Sequence, residues 1–425
     1  MRNVMQAATL ESKFPILAVE HDCIISKDAD ITVAYKVELP ELFTVTRNEY
    51  EAIHSAWAKA VKVLPNYSIV HRQDWFIEEN YTPDIQRDDL SFLSRSFERH
   101  FNERPYLRHT SYLFLTKTTK ERSRTQSNFT ALTRNFIIPK EMQDKDTVTR
   151  FLESCDQFER IINDSGFVRI TRMRKDEITG TENSAGIIEK YFSLSQEETT
   201  CLQDLTLGAA EMKVGDNCLC LHTLSDTDDL PGKVATDMRY ERLSTDRSDC
   251  RLSFAAPIGV LLTCNHIVNQ YLFIDDPAEN LKKFEKQARN MHSLSRYSRS
   301  NQINREWIEE YLNEAHSLGL TSIRAHCNVL AWSDDRNRLK QVKNDVGSQL
   351  ALMECKPRHN TVDTPTLFWA AIPGNAGDFP FEESYYTFIE QALCFFIGES
   401  CSRDSWKKRT TRVRFPRSVS AWWIV

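Results

Sequence analysis

The sequence predicts an α+β fold: antiparallel or mixed sheets with amphipathic helices packed on one face, in two or more subdomains. Three observations predict it. Strand-like runs and helical stripes follow the order β-β-α-β-α-β over the first 120 residues, an order that places helices against one side of a sheet. Between Cys201 and Leu262 the pattern changes to short strands and turns. Beyond Asp276 it returns to α-α-β-α-β.

The elements follow from local patterns. Cys23–Ser26 and Ile31–Val37 read as strands around the polar turn Lys27-Asp28-Ala29-Asp30. A helix begins near Arg47, where Thr46 and Glu49 have capping-box spacing. Tyr50, Ile53, Trp57, Ala60 and Leu64 recur on its apolar face. Tyr67–Ile77 is strand-like. Leu90, Leu93, Phe97 and Phe101 mark a second helix that stops before Pro105. Tyr112–Leu115 reads as a buried strand, and Lys117–Thr133 as a polar loop or seam. Val148–Ile162 is a third amphipathic helix with Gly166 beyond its end.

In the middle region, Gly215-Asp216-Asn217 marks a hairpin, and Ser225–Gly232 is an acidic loop holding Asp226, Asp228 and Asp229. Asp276 suits the cap of a helix with Pro277 at its first position and Glu279 in its first turn. Leu281, Phe284, Ala288, Met291 and Leu294 form its stripe. A further helix runs from about Asn304 to Gly319. Ser322–Trp332 is a strand, Leu339, Val342, Val346, Leu350 and Met353 give another helix, and Thr366–Ile372 another strand. The expected organisation is a first α+β unit over 1–120, a helix and short-strand region over 121–250, a second α+β unit over 251–396, and a non-periodic tail over 397–425.

Composition narrows the function. At 425 residues the chain exceeds one small domain. With 41% hydrophobic and 27% charged residues it is globular. Twelve glycines argue against a glycine-rich nucleotide-binding enzyme, and a net charge of -6 against a protein that coats nucleic acid. Met1–Glu20 has no secretory pattern. The most apolar run, Phe254–Cys264, is interrupted by Pro257 and Gly259, and falls short of the roughly 20 apolar residues that a spanning helix needs. Eleven scattered cysteines suit the reduced thiols of a cytosolic chain.

No phosphate-loop motif occurs. The one Gly-Lys pair, Gly232-Lys233, is followed by Val234 and has no Gly five residues before it, so it reads as a turn. No G-x-S-x-G or G-x-G-x-x-G is present. Cys264, His266, His292, His316, His326, Cys327, Cys355 and His359 are too loosely spaced for a zinc site, and read as packed or surface residues. Cys218 and Cys220 would share one side of a strand as core filling. Glu354-Cys355-Lys356 is similar to the Glu-x-Lys of metal-dependent nucleases, a pattern of three residues that chance supplies readily. Glu399–Val425 carries seven Lys/Arg against Glu399 and Asp404 and ends Trp422-Trp423-Ile424-Val425. It could meet nucleic acid by charge and stacking, but reads more simply as a disordered or non-native terminus. The residues therefore nominate no catalytic, nucleotide-binding or metal-ligating group and no cofactor.

Six long segments stand out as continuous stretches: Thr9–Val37, Leu90–Pro105, Leu221–Asp229, Ser244–Pro257, Met353–Asn360 and Trp369–Pro380. They resemble the N-terminal region of TraG-type ATPases of conjugative transposons. Members of that family are hexamer-forming ATPases that energise type IV secretion, with an assembly domain followed by a motor domain. Pro373, Gly374 and Asn375 resemble the family's Pro-Gly-Asn turn shortly before the motor. The phosphate loop expected beyond it is not found, and the resemblance ceases near Phe395. It implies an assembly domain truncated before its motor, with an out-of-frame or disordered tail. It also implies a cytoplasmic protein held at the inner membrane through other secretion subunits, with homo-oligomer formation compatible and neither nucleotide nor nucleic acid bound directly. The competing expectations are a free-standing metal enzyme using the Glu-x-Lys or His/Cys residues, and a nucleic-acid binder acting through the tail.

Overall fold

The computed structural model describes residues 10–79, 91–102, 106–120, 122, 142, 144–197, 199–200, 202–208, 211–294 and 298–400. The fold is α+β, built on antiparallel pairs. Its first strands are β1 (Ile16–Glu20), β2 (Cys23–Ser26), β3 (Ile31–Glu38), β4 (Ser68–Glu79), β5 (Tyr106–Lys117) and β6 (Arg169–Arg172). The middle region adds β7 (Leu205–Leu207), β8 (Met212–Val214), β9 (Asn217–Leu224), β10 (Asp237–Arg239) and β11 (Arg251–Ser253). β12 (His266–Ile274), β13 (Ser322–Ser333), β14 (Arg358–Asn360) and β15 (Tyr385–Phe388) complete the set.

β10 and β11 pair with each other; the rest form one sheet with the spine β1-β2-β3-β5-β4-β12-β13-β9-β8-β7. The seam is β4 against β12, where Ser68 to Phe76 face Ile274 to His266. The stretches 1–120 and 251–396 are therefore halves of a single sheet, and the middle region supplies its β9-β8-β7 edge. β12 and β13 are buried along their whole length, as is β4 as far as Ile77. The buried strands enclose polar as well as apolar side chains, including His71 to Asp74 on β4, Asn269 and Gln270 on β12, and Arg324, His326 and Asn328 on β13.

The helices are α1 (Leu10–Lys13), α2 (Arg47–Lys62), α3 (Phe92–Asn102), α4 (Lys145–Asp164), α5 (Lys175–Thr179), α6 (Ile187–Ser193), α7 (Pro277–Leu294), α8 (Arg299–Leu318), α9 (Arg336–Leu352), α10 (Thr364–Ala370) and α11 (Ile389–Leu393). The long amphipathic helices α2, α4 and α9 cover one face, over Val70, Phe76, Leu113, Leu115, Val268 and Leu272. On α2 the Glu49 carboxylate accepts from the Thr46 N–H at 2.7 Å, and the whole expected stripe from Tyr50 to Leu64 is buried. The opposite face, with Trp75, Phe114, Ile267 and Tyr271, is closed by the short helices α5, α6 and α10.

Two expectations need correction. Thr366–Ile372 is not a strand: α10 runs through it, with Pro365 in the first turn. Every residue from Thr364 to Ile372 is buried, so the run has no polar side to reveal its period. Nor does the body end at Phe396. Ile397 and Glu399 are fully buried, and Ser400 N–H donates to the Pro40 carbonyl at 2.9 Å. The remaining tail, including Trp422 and Trp423, lies outside the described residues.

A polar ladder crosses the sheet centre on the α6/α10 side. Gln73, Asn269 and Asn328 stand in register on β4, β12 and β13. All three are buried.

Candidate functional site

The Pro373-Gly374-Asn375 turn lies in the interior. The Ile372 carbonyl accepts from Asn375 N–H at 2.9 Å, and Gly374 has φ of +89°, the geometry of a type II turn. Asn375 Nδ2 donates to the Trp369 carbonyl at 2.9 Å, and Gln73 Nε2 donates to the Ala371 carbonyl at 2.6 Å. The turn thus ties α10 to the polar ladder. It is buried beneath Ile24 and Ile16, so what it does in this fold is hold elements together.

The dispersed His and Cys residues stay apart. His266 stacks on Phe76 at 4.6 Å, and its Nδ1 lies 2.8 Å from the Cys264 carbonyl. His326 sits on the other face, with Nδ1 2.6 Å from the Glu383 carbonyl. Burial pushes the Cys264 and Cys355 thiols up to about 12, far from the lowered values of reactive thiols. Cys218 and Cys220 do share the α9 side of β9, inside the core. Among the described residues, no three His, Cys, Asp or Glu side chains converge as a metal site. Glu354 adopts a left-handed conformation (φ 59°) just past α9, and Lys356 N–H donates to the Asp229 carbonyl. These contacts make the Glu-x-Lys segment a connection between α9 and the acidic loop.

The surface feature that stands out is the α7–α8 hairpin. Its base is aromatic: Tyr311 stacks on Phe388 at 4.5 Å and meets Phe284 at 4.9 Å, while Phe284 meets Tyr386 edge-on at 5.0 Å. Tyr311 Oη also donates to Ser322 Oγ at 2.8 Å. Beyond this anchor each helix continues for about 15 Å, taking 1.5 Å per residue. Along the whole of α8, Ala315 is buried and Trp307 is 60% exposed. Ile303, one turn before Trp307, is also exposed. Glu306 and Glu310 are exposed beside them. Arg305 pairs with Glu309 at 2.7 Å. The arrangement is an apolar pair rimmed by carboxylates, and an amphipathic tryptophan of this kind suits the centre of a protein contact. The helix predicted from about Asn304 begins five residues earlier, at Arg299, which brings Ile303 onto it. The i, i+4 spacing of Ile303 and Trp307 was the available signal.

A second exposed apolar pair, Phe92 and Leu93, opens α3. No described helix is long and apolar enough to cross a membrane.

Residues 3–55 match the family model described as "Domain of unknown function, B. Theta Gene description (DUF3875)". Within that match fall α1, the β1-β2-β3 meander at one sheet edge and the first half of α2. No curated protein matches the chain.

Proposed function

We propose that this chain is an assembly module of a conjugation (type IV secretion) ATPase, acting by docking on other secretion subunits at the cytoplasmic side of the bacterial inner membrane. The segmental resemblance set out above supports the family reading. The observation that carries the docking reading is the α7–α8 hairpin, which projects from an aromatic base and exposes Trp307 beside Ile303. Ordering a long helical hairpin away from the core costs chain entropy without full burial, and a partner that covers Trp307 would offset that cost. The acidic rim suits a partner surface with an apolar pocket bordered by Lys or Arg.

The test is Trp307→Ala, alone and with Ile303→Asp, in the full chain co-expressed with the inner-membrane secretion subunits of the same element. Loss of a central tryptophan contact should weaken co-purification by at least about tenfold and lower conjugative transfer, with the melting temperature unchanged. Full retention of both by a folded double variant would refute the reading.

A further inference from the structure

We infer that the cavity between α9, β9 and β14 is a binding site for a phosphate monoester group. The cavity has a volume of about 310 Å³, near the lower end of small-molecule sites. Arg336, Lys340 and Lys343 line it from α9. Spacings of 4 and 3 place all three on one side of that helix. His359 closes the cavity from β14, and Leu339, Leu219 and Met212 add apolar wall.

The charges do not balance within the site. Glu211 is the lining carboxylate, and it is already engaged by Arg336 at 3.0 Å with Lys213 at 4.0 Å. Among the described residues Lys340 and Lys343 make no ion pair. Lys343 is only half exposed, so its charge is less screened than that of a free surface lysine.

A second observation points the same way. His222 lies two residues beyond Cys220, which lines the cavity from β9, and so shares its side of the sheet. His222 is 5% exposed, its Nδ1 has no hydrogen-bond partner, and its ring meets that of His359 edge-on at 5.3 Å. Burial, His359 and Lys343 together push the His222 imidazole down to about 4. Uncompensated cations beside a buried imidazole are unfavourable. A doubly charged tetrahedral anion would relieve them. It could accept from both lysines and from His359, and its ester carbons would meet the apolar wall. A metal cation would be repelled by the same residues, and a carboxylate offers fewer acceptor directions.

The phosphate could belong to a soluble monoester or to the headgroup of phosphatidic acid. The experiment is calorimetric titration of the full chain with inorganic phosphate at constant ionic strength in chloride. Sedimentation with phosphatidylcholine vesicles carrying either phosphatidic acid or phosphatidylserine is run beside it. Saturable phosphate binding is expected, weakened about tenfold for each of Lys340→Gln and Lys343→Gln. It should be kept in Lys282→Gln/Lys286→Gln, which changes the same charge on exposed α7 positions. Retention on phosphatidic acid over phosphatidylserine assigns the lipid source, retention on neither assigns the soluble one, and strong equal retention on both marks generic attraction to anionic surfaces and counts against a phosphate-specific site. No saturable heat, or equal binding by wild type and Lys340→Gln/Lys343→Gln, would overturn the inference. Trp307 lies on a different element, so this outcome and that of the docking test are independent.

Discussion

Asn269 Oδ1 accepts from Gln73 Nε2 at 2.9 Å across the β4–β12 seam, while its Nδ2 donates to Asn328 Oδ1 at 3.0 Å across β12–β13. His71 Nε2 lies 3.3 Å from the same oxygen. One side chain thus joins three central strands. A slip of one residue would turn it to the other face and orphan all its partners. Asn269→Ala should therefore cost about 2–4 kcal/mol of unfolding free energy, more than one ordinary hydrogen bond. Urea denaturation measures it, and a loss under about 1 kcal/mol would mean that the ladder does not act as a unit.

Glu399 is buried with its carboxylate taking Ser253 Oγ at 3.0 Å and Tyr50 Oη at 3.1 Å. Burial pushes this carboxyl from its ordinary 4.5 up to about 7, against the pull of the Ser253 and Tyr50 hydrogen bonds and of Arg72. A raised folded value means that the native state holds the proton more tightly. The stabilising contribution is thus complete below 4.5 and is lost as pH rises through about 7. The span corresponds to about 3 kcal/mol. Glu399→Gln should gain on wild type steadily as pH rises across that window. Parallel melting curves for the two proteins would exclude the effect.

The buried histidines act in the opposite direction. Burial pushes His71 and His326 down to about 3, and His266 down to about 4. Their contribution is present above the ordinary 6.5 and is lost as pH falls towards the folded values. His71 stacks on Tyr271 at 4.0 Å, so phenylalanine can keep the stack. His71→Phe should make the fall of stability below pH 6.5 shallower by about 1.4 kcal/mol per pH unit, whichever way overall stability moves. An unchanged slope counts against a neutral buried His71.

At Gly374 two penalties coincide. The φ of +89° disfavours any L side chain, and a Cβ there would meet Ile24 Cγ2 at 2.5 Å. Gly374→Ala should lower stability by at least about 2 kcal/mol. A calorimetric melting temperature equal to wild type would remove the turn from the list of structural anchors.

A chain cut after Phe396 should be less stable than one cut after Ser400. The shorter chain loses buried Ile397, the Glu399 contacts, and the Ile397 carbonyl that accepts from Arg72 Nη2 at 2.6 Å. A deficit of at least about 3 kcal/mol is expected from the cavity and the unpaired buried groups. Equal urea midpoints would place residues 397–400 outside the cooperative unit.

Legibility in the sequence tracked how locally each feature is determined. α2 was readable because Thr46, Glu49 and the stripe from Tyr50 to Leu64 lie within one helix. The Gly215 hairpin was readable because its turn residue and both strands are adjacent. α10 was misread because full burial erased its period. Glu399 looked like the first charge of a basic tail, since nothing local announces that Tyr50 and Ser253 will enclose it. The two helices of the Trp307 hairpin are legible in the sequence, but their projection from the body is not, and neither is the cavity at α9: each depends on which distant element is, or is not, packed alongside.

The β4–β12 seam has a consequence for biosynthesis. β4 and β5 leave the ribosome long before β12 and β13, and nearly two hundred residues separate the paired strands. Until β12 arrives, β4 is an edge strand whose outward hydrogen-bonding groups are unmet. Nascent chains stalled within the middle region would therefore expose a long unpaired strand edge to one another, and a holdase that shields β4 during elongation should raise the yield of folded protein.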